Sequence, residues 1–102
     1  MENVTEEELD EKSRGPRVTA AMVEAAVDKE VPIQWHVFPG STVTVCRVTL
    51  VNGFSVLGNS ACADPANFDE QIGRRLAYED AKSKINELEG YRLCQELHET
   101  KL

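Results

Sequence analysis

The chain has 102 residues and a formal net charge of −7, with 41% apolar and 28% charged residues. These values are typical of a small globular protein, and the length favours a single domain. No apolar run approaches the roughly 20 residues of a membrane span, and the acidic N-terminus differs from a signal peptide, so we expect a cytoplasmic protein without membrane contact. An acidic protein is repelled by phosphate backbones, which argues against general nucleic-acid binding.

The three cysteines, Cys46, Cys62 and Cys94, form no C-x-x-C pair, and an odd number without a secretion signal predicts reduced thiols. His36 and His98 share no short metal-ligand spacing with them. A nucleophilic cysteine needs a neighbouring base, and the sequence places no histidine beside one. We therefore expect no metal, no cofactor, no catalytic residue and no enzymatic activity.

In chain order, residues 1–16 predict a disordered acidic tail, and residues 17–99 predict one α+β domain. Thr19 is a suitable N-cap for a first helix running to about Glu30, because its hydroxyl can accept a free backbone N–H of the first turn. Pro32 ends this helix, since the residue before a proline avoids helical backbone angles.

Three strands are predicted at 33–38, 43–51 and 54–60, from their β-branched and aromatic residues. Asn52-Gly53 predicts a two-residue type I′ turn, which needs positive φ at both positions. That turn sets a register in which the facing pairs are Val51 with Phe54, Thr49 with Val56, and Arg47 with Gly58.

In this register both faces of the hairpin carry apolar side chains, whereas a sheet with one face in water should alternate. We therefore expect a homodimer in which a second subunit covers part of the sheet. The interface would include Val48, Leu50 and Leu57, or residues near Gly73 and Ala77 on the following helix.

A long second helix is predicted over 66–89. It opens between Pro65 and Phe68, with Asp64 or Asn67 as its cap, and Gly90 is suited to the position just after its end. Gly73 inside this helix indicates tight packing. The apolar positions drift around the axis and comprise Phe68, Ile72, Leu76, Ala77, Ala81, Ile85 and Leu88. The full order is helix, three-stranded antiparallel meander, long helix (αβββα).

Two further features are candidates for interaction. Arg74 and Arg75, with Lys82 and Lys84, form a modest basic strip on the long helix, and Trp35 is an aromatic anchor for the core or for an interface.

The middle of the chain resembles the phage gene-product 49/66 family, small and largely uncharacterised proteins of tailed phages and prophages. The resemblance covers roughly residues 17–94 and implies phage origin and a non-structural, accessory role, with no catalytic residue to carry over. The resembling residues are Asn52-Gly53-Phe54, Gly58, Ser60-Ala61-Cys62, Pro65, Asn67-Phe68-Asp69, Ile72-Gly73-Arg74 and Glu89-Gly90-Tyr91.

The leading hypothesis is a phage accessory protein that binds a host protein in the host cytoplasm and acts in host takeover or in counter-defence. One alternative is a nucleic-acid-binding regulator that uses the basic strip at Arg74 and Arg75. A second alternative is a small-ligand sponge that binds its ligand at a subunit interface.

Overall fold

The structure, a computed structural model, describes residue 5 and residues 15–101. Residues 15–101 form α1 (Ala20–Ala26), β1 (Gln34–Val37), β2 (Thr44–Thr49), β3 (Ser55–Ser60), a 3-10 turn (Pro65–Asn67) and α2 (Glu70–Thr100). The predicted α+β class and the αβββα order are confirmed. The acidic tail predicted for residues 1–16 lies almost entirely outside the described residues.

The strands form an antiparallel sheet in the order β1-β2-β3, and both helices pack on one of its faces. The buried residues of that inner face are Cys46, Val48, Leu50 and Val56, which meet Val23, Ala26 and Val27 of the α1 region and Ala77, Ala81 and Ile85 of α2. The outer face is polar at its centre, where the Arg47 guanidinium donates to Ser55 Oγ (3.0 Å) and Gln34 Oε1 (3.2 Å).

The hairpin between β2 and β3 has a three-residue loop, so the predicted type I′ turn is wrong. The Gly53 N–H donates to the Leu50 carbonyl, and the Leu50 N–H donates to the Phe54 carbonyl, both at 2.8 Å. Gly53 has φ +89°, and no non-glycine residue in the described chain has positive φ. This is the three-residue hairpin in which a type I turn is followed by a left-handed glycine.

The longer loop shifts the register by one residue, and a one-residue shift moves side chains to the opposite face. Arg47 faces Leu57, Val48 faces Val56, and Cys46 faces Gly58. In this register Arg47, Thr49, Ser55 and Leu57 point to the outer face, while the alternate residues are buried. The expectation of a hairpin that is apolar on both faces is therefore wrong.

The first helix is shorter than the predicted 19–30 because the chain after Ala26 bonds to the sheet instead of continuing the helix. Thr19 caps it as predicted, accepting from the Met22 N–H at 3.2 Å. The Ala26 carbonyl accepts from the Val51 N–H, and the Asp28 N–H donates to the Thr49 carbonyl, both at 2.9 Å. These bonds extend the backbone at Val27, which forms an isolated bridge with Leu50.

The second helix begins later and ends later than the predicted 66–89. Asp64 caps only the 3-10 turn, and Asp69 caps α2 by accepting from Gln71 N–H (2.9 Å) and Ile72 N–H (3.1 Å). Gly90 does not end the helix, which continues to Thr100. Side-chain pairs one turn apart bridge this region, among them Glu89–Arg92, Arg92–Glu96 and Gln95–Glu99. Each such pair adds about 0.2–0.5 kcal/mol, which together offsets the cost of about 1 kcal/mol for a helical glycine.

The helix lies on the sheet at very short range because glycine stands at the contact. A Cβ on Gly58 would lie 2.0 Å from the Ala77 carbonyl oxygen and 2.8 Å from the Ala81 Cβ. A Cβ on Gly73 would lie 2.7 Å from Thr44 Oγ1. The tight packing predicted for Gly73 is therefore packing of the helix on its own sheet.

We expect Gly58→Ala to destabilise the fold by on the order of 3 kcal/mol, because the added methyl meets helix backbone that must move away. Gly90→Ala is the matched control: nothing lies within 4 Å of its new Cβ, and alanine is the better helix former. It should stabilise by about 0.5–1 kcal/mol. Urea denaturation midpoints measure both, and an unchanged midpoint for Gly58→Ala would contradict the close helix–sheet contact.

The loop geometry predicts positive φ at Gly53 but not at Asn52, whereas a type I′ turn would need it at both positions. Gly53→Val should cost about 1–3 kcal/mol, because a β-branched residue is strained at positive φ. Asn52→Gly should cost about 1 kcal/mol, since Asn52 Oδ1 accepts from the Phe54 N–H at 3.0 Å and its φ is negative. A neutral or stabilising Asn52→Gly in chemical denaturation would indicate positive φ at this position.

Candidate interaction surface

The C-terminal half of α2 extends past the core. The buried positions of this helix recur every four residues and stop at Ile85; they are Gly73, Ala77, Ala81 and Ile85. Beyond Ile85, Leu88 and Tyr91 follow on the side of the helix toward β3, where the sheet no longer covers them. An apolar pair is thereby left at the end of the sheet, beside the β2–β3 hairpin.

Four exposed apolar side chains from two elements line a groove of about 590 Å³ between β3 and α2. Phe54 and Leu57 come from the strand side and are 56% and 55% exposed, while Leu88 and Tyr91 come from the helix and are 41% and 75% exposed. Single exposed apolar residues are common on monomers, but a contiguous group that lines a recess is typical of an interaction site. The remaining lining residues are Ser55, Val56, Lys84 and Glu87.

The outer edge of β3 is occupied by side chains of α2. The Asn59 N–H donates to Oδ2 of Asp80 at 2.9 Å, and Lys84 Nζ donates to the Leu57 carbonyl at 2.8 Å. The two side chains form an ion pair of 3.1 Å. The Asn59 N–H and Lys84 hold the pKa of the Asp80 carboxyl below its usual range. Charged groups on an edge strand prevent another strand from pairing with it.

The rim of the groove is acidic. Lys84 is paired with Asp80, and Arg92 lies between Glu89 and Glu96, bonding the former at 2.7 Å. Glu87 lines the groove and is exposed. The cations near the groove therefore have carboxylate partners, and carboxylates outnumber them.

The predicted interface residues of the hairpin fall on both sides of the sheet. Val48 is fully buried and Leu50 nearly so, because the observed register points both toward the helices. They offer no surface to a second subunit, and neither does Ala77, which is fully buried against the sheet. Leu57 is exposed and lines the groove. Trp35 is partly buried and packs on the core.

The predicted basic strip is divided and largely neutralised. Arg74 bonds Glu70 at 3.1 Å, and its guanidinium lies 5.5 Å from the centre of the Trp35 ring. Lys82 lies near Glu79 and the Tyr78 ring, and Lys84 reaches the opposite side of the helix at β3. Arg75 is exposed. These cations form no continuous surface for a phosphate backbone.

The three cysteines have different environments. Cys46 is fully buried, and this burial raises the pKa of its thiol. The Cys62 thiol donates to the Asp64 carbonyl at 3.3 Å, and Cys94 is exposed on α2. Within the described residues, no group of three or more His, Cys, Asp and Glu side chains could hold a metal ion.

The sequence analysis singled out Leu57 but missed Phe54, Leu88 and Tyr91 as one site. Leu88 and Tyr91 are three residues apart and so share one side of a helix, which is a signal in the sequence. Their meeting with Phe54 depends on the hairpin register and on the continuation of α2 through Gly90, and both expectations differed from the structure.

The fold and its surface define a small α+β protein in which two helices cover one face of a three-stranded meander and a groove runs along the sheet edge. Residues 18–97 match the model of the phage protein (N4 Gp49/phage Sf6 gene 66) family. The chain belongs to this family, as its resemblance to the phage gene-product 49/66 proteins indicated. No curated protein and no solved structure matches the chain.

A bilayer crossing would require a helix that is both long and apolar, and the part of the chain that the structure describes contains none. The longest helix, α2, carries charged residues along its whole length.

The edge contact of Asp80 predicts a pH-dependent contribution to stability. Because the fold lowers the pKa of Asp80, its carboxylate makes its full contribution to the free energy of unfolding above the usual carboxyl pKa of about 4. That contribution is lost as the pH falls through the lowered pKa. Asp80→Asn should cost about 0.5 kcal/mol at about pH 7, the scale of an exposed ion pair, and the two chains should converge in stability once the pH is below the lowered pKa of Asp80.

Urea midpoints of both chains across this pH range measure the difference. Glu79→Gln is the matched control, because its carboxylate lies 3.9 Å from Lys82 and on a different part of the helix surface. A gap that stays constant into acid would contradict the role of the Asp80 charge at the strand edge.

Proposed function

We propose that this phage protein is an accessory protein that acts by binding a host protein in the host cytoplasm, in takeover of the cell or counter-defence. The observation that supports the proposal is the groove formed by Phe54, Leu57, Leu88 and Tyr91. Membership of the phage family supports the phage setting, and the acidic balance of the chain fits a protein partner better than a nucleic acid.

Folding of the monomer does not account for an apolar Tyr91 that is 75% exposed. A side chain this exposed gains little from burial, so a polar residue at this position would be compatible with the same fold. Aromatic residues at the centre of an apolar recess are, by contrast, the residues that carry most of the binding energy in protein interfaces. The groove is therefore the surface at which we place the partner.

The two alternative functions have less support. A nucleic-acid-binding regulator would use Arg74 and Arg75, but Arg74 is paired with Glu70 and the other lysines of the strip have acidic neighbours. A small-ligand sponge would require a subunit interface, and the predicted interface residues Val48 and Leu50 are buried in the core.

The homodimer expected from the sequence stays a prediction. The sheet is apolar on one face only, which removes one reason for expecting a dimer. Ala77, at one of its two candidate interfaces, is buried. A second copy of the chain would occupy the same groove as a host protein. Light scattering at micromolar concentrations therefore tests both the homodimer and the availability of the groove to a host protein.

The test is a quantitative pull-down from a lysate of the bacterial host with three forms of the full chain. The double variant Leu57→Ala/Tyr91→Ala removes one exposed lining side chain from the strand side and one from the helix, 55% and 75% exposed. The control, Ile72→Ala/Leu76→Ala, removes two residues that are 47% and 49% exposed elsewhere on α2. We expect one host protein to be enriched by the parent and the control and lost with the groove variant. Equal recovery by all three forms would contradict the proposal.

A further inference from the structure

The groove beside β3 has a feature that restricts the shape of its occupant. An exposed sheet edge usually recruits an extended segment, which adds as another strand through main-chain hydrogen bonds. Here the Asn59 N–H and the Leu57 carbonyl already bond Asp80 and Lys84 of α2. Strand addition at this edge would break both hydrogen bonds and displace an ion pair.

What remains open to a partner is the side-chain surface of the recess. The recess is lined by Phe54 and Leu57 on the strand side and by Leu88 and Tyr91 on the helix. A recess beside a strand edge that side chains already occupy at Leu57 and Asn59 suits a helix, which presents its own apolar side chains at spacings of three and four residues.

The charges around the recess restrict the chemistry of that helix. Glu87 is exposed at the groove, Glu89 and Glu96 flank the single cation Arg92, and Lys84 is neutralised by Asp80. The chain as a whole has a net charge of −7. A second copy of the chain would bring an equally acidic rim to the contact, whereas a basic helix would meet opposite charge on the α2 side of the groove.

We propose that the groove between β3 and α2 binds an amphipathic, basic helix of a host protein, with apolar residues in the recess and lysine or arginine along the rim. The inference rests on the proposed function and adds the partner's class. The helix lies against Leu57 and Tyr91, and its cations face Glu87, which lines the groove and is exposed.

The test uses a fluorescein-labelled peptide with leucine at i, i+3, i+4 and i+7 and lysine at the other positions, titrated with the full chain by fluorescence anisotropy. Two further peptides serve as controls. One has glutamate in place of lysine and probes charge; the other has the leucine–lysine composition without helical periodicity and probes shape. We expect binding of the leucine–lysine helix alone, weakened by salt because the rim contacts are exposed.

The protein variants locate the binding. Leu57→Ala/Tyr91→Ala should weaken it at least about tenfold, as expected for loss of central anchors, while Ile72→Ala/Leu76→Ala should leave it unchanged. Glu87→Lys should weaken it and leave the urea midpoint unaltered, since Glu87 is exposed. Equal binding by both double variants would overturn the proposal, because the peptide would then be attracted by net charge alone.

Two other outcomes would also overturn it and keep the two proposals distinct. If a host protein is captured through the groove but the leucine–lysine helix does not bind, the partner class is wrong and the proposed function stands. If light scattering shows a dimer that Leu57→Ala/Tyr91→Ala dissociates and no peptide binds, the occupant is a second copy of the chain.

Discussion

The structure depends on the direct contact between Gly58 on β3 and the backbone of α2 at Ala77 and Ala81. The helix backbone occupies the space where any other residue would place its Cβ, so the helix and the sheet are closer than ordinary side chains permit. The buried stripe of α2 is made of small residues for the same reason, and Ile85 is the first large side chain in it. Interiors are close-packed, so this distance leaves little tolerance at the contact.

The short distance also determines the surface chemistry around it. Because α2 is so close to β3, the short Asp80 side chain reaches the Asn59 N–H, and Lys84 reaches the Leu57 carbonyl one helical turn later. The same approach fixes the angle at which α2 leaves the sheet, with Leu88 and Tyr91 beside Phe54. The closed strand edge and the open groove are thus two consequences of one helix–sheet contact.

Much of the fold could be predicted from local signals, because those signals act within a few residues. Thr19 caps α1, the strands lie within the predicted segments, and Asn52-Gly53 lies in the turn. The register could not be predicted in this way, since Gly53 with positive φ is compatible with two loop lengths. Cys46, Val48 and Leu50 alternate with polar residues, and this alternation fits only the three-residue loop. It was the signal in the sequence from which the register could have been predicted.

The candidate site was harder to predict because it depends on the hairpin register and on the end of α2, and both were predicted wrongly. The register follows the length of the hairpin loop, and continuing α2 through Gly90 requires several weak pairs acting together. Propensity at single residues describes neither effect. Val48, Leu50 and Leu57 were assigned to one interface because of the wrong register; Leu57 is exposed, whereas Val48 and Leu50 are buried.

The exposed groove is best understood by asking what the fold itself requires of each apolar residue. Val48 and Ile85 are fully buried, and the core depends on them. Leu57 and Tyr91 are more than half exposed, so their removal from water on folding contributes little free energy. Their exposure keeps apolar surface in contact with water, next to carboxylates that maintain solubility. In the proposed function, an acidic rim around an apolar recess would attract a basic partner, so the same charges would serve both solubility and selection of the partner.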